Sequence, residues 1–197
     1  MRLLSDGEIY SASYIAAYFQ CSTTEIHKIL KYTEIPGIIL IRFANKGYLW
    51  KNPFNWLNAD LIFKNLSASI NDKVIDLRII DCIDSTNNFL LLNDLKNLKK
   101  NKDCLSVIAA ELQTSGRGRR GRSWCSGLGE SLTFSVGWHV SLNISCLTGL
   151  SLTIGIAIIR VLNSLAIKNL YLKWPNDILF NHKKLGGVLI ELRKTKP

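Results

Sequence analysis

Histidine and methionine are scarce in this 197-residue chain, with three of one and one of the other, and proline is held to four. Three scattered histidines assemble neither a metal cluster nor a Ser-His-Asp set. The five cysteines, Cys21, Cys82, Cys104, Cys125 and Cys146, lie about twenty or more residues apart with no Cys-x-x-Cys. That spacing excludes a zinc framework and leaves free, mostly structural thiols as the expectation. Long hydrophobic runs are missing too. The longest uncharged stretch, residues 140–159, is interrupted by Ser141, Asn143, Ser145, Thr148, Ser151 and Thr153, and reads as a buried helix with its lead-in. Residues 1–6 lack the apolar segment of a secretory signal, so cytoplasm is the expected location and no membrane partner is expected.

What is present is a globular composition, 47% hydrophobic and 20% charged, which excludes disordered and fibrous classes. The net charge is +10, and it is unevenly placed. Residues 1–60 hold six basic and five acidic side chains, so nearly all the excess lies beyond them. Such a balance suits a nucleotide, nucleic-acid or acidic-protein partner without choosing among them.

Periodicity divides the chain. Tyr14, Ile15, Tyr18 and Phe19 share one helical face over residues 11–19, and Ser22-Thr23-Thr24-Glu25 offers a capping start for a second helix with Ile26, Ile29 and Leu30. Pro36-Gly37 breaks the chain before a β-rich stretch, 38–43, and Asn45-Lys46-Gly47 is a turn before residues 48–50. The pattern is that of a small winged helix-turn-helix. Residues 51–56 read as a linker docked by its aromatics, with a boundary near residue 60–70.

Beyond it, strands are expected at 75–80 and 107–111 around a helix at 87–99. Leu132, Phe134, Val136, Trp138 and Val140 alternate as a strand with one well-buried face. Residues 150–166 are apolar on nearly every side, as in a central helix, and 170–173, 178–180 and 184–192 read as strands.

The most unusual segment is Gly116-Arg117-Gly118-Arg119-Arg120-Gly121-Arg122. Its glycines free the backbone to aim successive amides at one anion, and its four guanidiniums each offer a bidentate fork to carboxylate or phosphate. No Gly-Lys-Ser/Thr follows, so it is not a Walker loop, and its spacing is not that of a Rossmann fingerprint. A solvated or loosely RNA-binding Gly/Arg turn is the bland alternative. A second cluster is Lys173-Trp174-Pro175-Asn176-Asp177 with Lys184-Leu185-Gly186-Gly187, in which Pro175 fixes a turn and Lys184 can hold a phosphate as a point charge. A third is Asp84-Ser85-Thr86-Asn87-Asn88, an ordinary helix N-cap that can also bind a polar ligand.

In this order the three segments resemble the biotin protein ligase family, in particular the bacterial type that also represses biotin synthesis. The resemblance runs from the helix-turn-helix through Glu111-Leu112-Gln113-Thr114-Ser115, the arginine segment, Trp124 and Lys173–Asp177 to residues 184–192. It implies an α+β protein, a winged helix-turn-helix over residues 1–62 followed by a mixed α/β biotin/lipoate-ligase-like catalytic domain over 63–197. It also implies attack of the biotin carboxylate on the α-phosphate of ATP, with Mg²⁺ on the phosphates, and transfer from biotinyl-AMP to a lysine of a biotin carboxyl carrier protein. The lipoate-attaching relatives share the architecture, but the arginine segment favours biotin.

Carried across by that resemblance, Ser85, Thr86, Asn87 and Gln113 match residues that bind the ureido end of biotin. Arg117, Gly118 and Arg119 match positions touching biotin and the adenylate, with Gly116, Arg120, Gly121 and Arg122 acting on phosphate or loop closure. Lys184 matches a lysine near the biotin carboxyl and α-phosphate, and with Arg117 and Arg119 it forms the catalytic set. Trp124 walls the site or supports the loop, a core tryptophan being an equal alternative. Asn176 and Asp177 fall on the nucleotide and metal side, without a fixed protein metal site.

Two departures stand out. Family members continue past residues 184–192 with further sheet strands and a small β-barrel, so a catalytic domain incomplete at its C-terminus is expected. After Trp124, the usual Ser-Pro-x-Gly-x-Asn is replaced by residues 126–131, which predicts a looser segment. Alternative readings are a catalytically impaired remnant and a DNA-binding regulator. For the latter, Thr23, Thr24, His27, Lys28 and Lys31 on the recognition helix and Lys46 in the wing are the candidates for operator DNA. A ligand-linked homodimer is implied by resemblance alone.

Overall fold

The computed structural model describes residues 2–31, 34–93, 103–140 and 147–193. The N-terminal part opens with a 3-10 turn, Arg2–Leu4, then helices α1 (Ala12–Tyr18) and α2 (Thr23–Lys31). Ser11 caps α1 by accepting from Tyr14 N, and Ser22 and Glu25 form a reciprocal capping box on α2. A hairpin follows, β1 (Leu40–Phe43) against β2 (Gly47–Trp50), and Tyr10 bridges to Tyr48 at its edge.

The buried cluster beneath these elements contains Leu4, Ile15, Ala16, Ile26, Tyr48 and Trp50, together with Leu128 from the second part of the chain. Leu128 N donates to Pro36 O at 2.8 Å, and Gly37, at φ +87°, sits where a Cβ would lie 2.4 Å from Leu128 O. Residues 51–56 are docked, as their aromatics suggest. Phe54 packs between Trp50 and Trp56, Trp56 Nε1 donates to Ser5 Oγ at 2.7 Å, and the Arg2 guanidinium lies over the Trp56 ring. Arg2 also pairs with Asp81, and buried Glu111 accepts from Leu57 N at 2.6 Å.

Two short helices absent from the sequence reading follow, α3 (Ala59–Asn65), capped by Asn58, and α4 (Ala68–Asn71). Residue 62 lies inside α3. Next comes a three-stranded mixed sheet in the order β3-β4-β7, from β3 (Val74–Ile83), β4 (Leu105–Gln113) and β7 (Thr133–Trp138). Strands β3 and β4 are parallel and so need a crossover, which contains α5 (Thr86–Asn93). The expected continuation of that helix over 94–99 lies outside the described residues, as does Cys146. The other four cysteines are free. Between β4 and β7 the chain makes a tiny hairpin, β5 (Gly116–Arg117) with β6 (Ser123–Trp124). The last elements are α6 (Leu150–Ser164) and an antiparallel meander, β8 (Leu170–Lys173), β9 (Asp177–Phe180) and β10 (Lys183–Gly187).

Three expectations are corrected. The alternation of β7 is real, but its sense is reversed: Ser135 is buried, whereas Phe134, Val136 and Trp138 are 48%, 38% and 39% exposed. Ser135 pairs with fully buried Ile108 on the face covered by α5. Helix α6 is not central either. Only Gly155 is buried, where the helix approaches Leu172 of β8 so closely that a Cβ would lie 2.6 Å from Leu172 Cδ2, while Ile156 and Val161 are exposed. Finally, the strand expected over 184–192 ends at Gly187. Its partner β9 begins at Asp177, just past the turn containing the cis Trp174–Pro175 bond, so among the described residues the pairing ends with Val188 N→Asn176 O at 2.9 Å. Among the described residues no helix is long and apolar enough to cross a membrane.

Candidate active site

The C-terminal ends of β3 and β4 bring Asp84–Asn88 beside Gln113. Ser85 Oγ accepts from Asn88 N as the N-cap of α5, and buried Thr86 turns the other way, donating N and Oγ1 to Gln113 Oε1 at 2.8 and 3.1 Å. Thr86 Oγ1 lies 2.7 Å from Ser135 Oγ, and Ser135 Oγ donates to Asn87 Oδ1. Thr86, Asn87 and Gln113 thus form one hydrogen-bonded network. Asp84 sits at its rim, held below the usual carboxylate range first by the Asn88 amide, then by the Ser85 backbone N–H and, more weakly, by Arg117.

The arginine segment is folded, not open. Gly116 pairs with Trp124, where a Cβ would lie 2.5 Å from Trp124 O, so close packing is what requires glycine there. Gly118 N donates to Arg122 O at 2.6 Å and Arg122 N to Arg119 O, which corrects the expectation that successive amides face an anion. Arg120 and Gly121 have φ of +57° and +72° and turn the hairpin. The cation-bearing side chains remain available. Residues 117–122 and 189–191 line an open cleft of about 430 Å³, of ligand-binding size.

Two carboxylates enter this positive site. Glu191 Oε2 accepts from Arg117 Nη2 at 2.9 Å and from Asn87 Nδ2 at 2.8 Å, and Asp177 Oδ1 lies 2.8 Å from Lys184 Nζ. Lys184 Nζ also stands 5.4 Å from the Trp124 ring centre, so Trp124 walls the lysine. Arg119 donates to Asn176 Oδ1 at 3.3 Å, and Asn176 Nδ2 donates to Val188 O. Among the described residues no carboxylate pairs with Arg119, Arg120 or Arg122. The arrangement can neutralise an anion at several points while its other end recognises a neutral polar group.

This order of parts is shared with known proteins. Residues 79–197 match the biotin/lipoate A/B protein ligase family. The chain belongs to that family. Among its ligase relatives, the bifunctional ligase/repressor BirA proteins of Salmonella typhimurium and Escherichia coli are each 34% identical over 190 residues, 96% of this chain and 56% of theirs. The crystal structure of biotin acetyl coenzyme A carboxylase synthetase from Helicobacter pylori with bound biotinylated ATP is 33% identical, with a TM-score of 0.50 over 60% of this chain and 56% of that one. The chain spans little more than half the length of the curated relatives it matches.

The site brings Thr86, Asn87 and Gln113 together and joins them through Glu191 to Arg117. A second group, Lys184, Asp177 and Trp124, lies next to Arg119 and Asn176. Ser85 serves as a cap, and the DNA candidates lie apart on α2 and the β1–β2 turn. Sequence reasoning missed Ser135 and Glu191. Ser135 sits in no motif, and Glu191, although inside the 184–192 stretch, meets partners 104 and 74 positions away.

Proposed function

We propose that the chain is a biotin protein ligase that makes biotinyl-AMP and passes biotin to a lysine of a biotin carboxyl carrier protein. The observation that carries this reading is one cleft lined by Arg117, Arg119, Arg120 and Arg122 and joined through Glu191 to the Thr86–Asn87–Gln113 network, with the Lys184–Asp177 pair of the neighbouring hairpin reached through Asn176. Hydrogen-bonding amides and hydroxyls suit a cyclic urea, whereas the cations suit its carboxylate and a triphosphate.

In the first step a biotin carboxylate oxygen bonds to the α-phosphorus, and the bond from that phosphorus to the β-bridging oxygen breaks, releasing pyrophosphate. Arg117, Arg119 and Lys184 offset the negative charge that makes the two anions repel. Arg120, Gly121 and Arg122, on the hairpin with Gly116 and Gly118, close over the anhydride and keep water from it. In the second step the carrier lysine amine, having lost a proton, attacks the acyl carbon and AMP leaves. Among the described residues no three His, Cys, Asp or Glu side chains converge on a metal site. Magnesium would sit with the nucleotide phosphates, on the Asn176 and Asp177 side, and would offset their charge there.

Streptavidin blotting of a biotin carboxyl carrier domain incubated with the chain, biotin, ATP and Mg²⁺ tests the reading. Labelling that Lys184→Ala abolishes supports it. A folded chain that neither labels the carrier nor forms biotinyl-AMP sinks it and leaves the impaired remnant.

A second reading is favoured by the exposed row Thr23, Thr24, Lys28 and Lys31 on α2 with Lys46 at the hairpin tip. On this reading residues 1–62 are a winged helix-turn-helix that binds operator DNA, residues 63–197 are the catalytic domain, and a ligand-linked homodimer spans two half-sites in the cytoplasm. His27 is engaged by Tyr48 Oη at 2.6 Å and would position α2. Binding to promoter DNA that weakens steeply with salt, and sedimentation as a dimer with biotin and ATP, are the expected results. Salt-independent or absent binding, or a monomer throughout, counts against it.

A further inference from the structure

Glu191 lies in the 184–192 stretch but was given no role there, yet among the described residues its carboxylate bonds to both the Asn87 amide and the Arg117 guanidinium. Both of its bonds fall on the same oxygen: Oε2 accepts Asn87 Nδ2 at 2.8 Å and Arg117 Nη2 at 2.9 Å, while Oε1 takes part in neither. Asn87 is at the first turn of α5, Arg117 is in β5, and Glu191 is on the irregular chain just past β10. Three segments distant in sequence thus meet at one atom.

The network makes this contact directional. Asn87 Oδ1 accepts from Ser135 Oγ, which also contacts Thr86 Oγ1, so the amide is held at both ends and only one flip satisfies both neighbours. On the other side, the Glu191 carboxylate is the one that pairs with Arg117 among the described residues. Its side chain is 28% exposed against 40% for the arginine, so the pair is partly sheltered from solvent. Bonds to an ionised acceptor are stronger than neutral ones. A single carboxylate here sets the direction of a neutral amide and a guanidinium together.

We propose that Glu191 is a positioning residue that fixes the Asn87 amide and the arginine hairpin in one frame before ligand arrives. Glu191→Gln keeps the shape but removes the charge, and its one carbonyl oxygen cannot hold both donors as strongly. Glu191→Ala removes both contacts. The expected consequence is a loose hairpin and an Asn87 free to flip, with the α5 cap and sheet otherwise intact.

Trypsin reads this without requiring activity, because it cuts after arginine and the hairpin carries Arg117, Arg119, Arg120 and Arg122. In the ligand-free full chain, we expect cleavage within residues 117–122, mapped by mass spectrometry, to rise about fivefold in Glu191→Gln and more in Glu191→Ala. Cleavage after Arg42 and Arg160 should be unchanged. An unchanged hairpin rate overturns the proposal, and so does an equal rise at all sites, which would mark Glu191 as a general structural support. If the alanine variant does not fold, the glutamine variant decides.

The kinetic arm rests on the adenylation reading. In biotin-dependent ATP–pyrophosphate exchange, Glu191→Gln should raise KM for biotin about tenfold and change kcat by less than about threefold, with Glu191→Asp recovering part of the loss. Unchanged KM overturns the proposal. A wild-type chain without exchange sinks the adenylation reading, and the tryptic comparison still decides Glu191.

Discussion

Lys184 Nζ faces Asp177 Oδ1 at 2.8 Å across the β9–β10 hairpin. The two residues belong to one sequence cluster but carry different expected roles, one toward the reacting anions and the other toward the nucleotide side, and the hairpin makes them neighbours. The carboxylate holds the ammonium beside Trp124. Lys184→Ala is expected to lower pyrophosphate exchange by about 10²–10³-fold, as removal of a charge-stabilising donor does. Asp177→Asn keeps the lysine but loosens it, and about a tenfold loss is expected. Equal rates in wild type and Lys184→Ala would remove the lysine from the chemistry.

Ser135 and Ser126 offer a paired test of buried hydroxyls. Ser135 is 8% exposed and bonds to both Thr86 and Asn87, whereas Ser126, at 4%, has a buried hydroxyl with no partner among the described residues. Ser135→Ala leaves two polar groups short of a bond and should weaken biotin binding by about tenfold in equilibrium dialysis. Ser126→Ala should leave stability within about 0.5 kcal/mol or raise it. Unchanged biotin affinity in Ser135→Ala, or a loss of more than about 1 kcal/mol in Ser126→Ala, would count against these assignments.

Gly37 and Gly121 both have positive φ, +87° and +72°, but they differ in their surroundings. A Cβ on Gly37 would lie 2.4 Å from Leu128 O, while among the described residues nothing lies within 4 Å of one on Gly121. Gly37→Ala must therefore separate the N-terminal core from Leu128 and is expected to cost about 2–4 kcal/mol in urea unfolding. Gly121→Ala meets only the backbone term, about 1–2 kcal/mol.

Acid should loosen the anchor of the N-terminus. The Arg2 side chain bonds Asp81 at 2.9 Å and holds its carboxyl below the usual range. A lowered folded pKa gives stability that is present above the unfolded value of about 4 and is lost as pH falls through the folded one. Both groups are about half exposed, so the effect is below about 1 kcal/mol. Asp81→Asn should flatten that part of the melting-temperature profile between about pH 5 and pH 3. An unchanged profile would show that the pair contributes nothing.

The sequence by itself determined the local elements and the chemistry they carry. Ser11, Ser22 and Glu25 announce their helices because capping is settled within a few residues, and the Asn45–Gly47 turn announces its hairpin. The arginine segment and the Asp84–Asn88 cap could be read as anion and polar-ligand chemistry for the same reason. Even the alternation of β7 was legible, but its direction was not. Period two states that two faces differ, and only α5, lying over Ser135 and Ile108, decides which face is covered. In the same way, the apolar length of α6 fixed a helix but not its burial, which depends on what reaches it. Leu128 looked like part of a loose segment until its backbone met Pro36. Glu191, inside the 184–192 stretch, gave no sign of its partners, since three segments distant in sequence meet at its one oxygen. Such meetings are set by register and crossover, which bring together residues whose separation along the chain hides any relation between them.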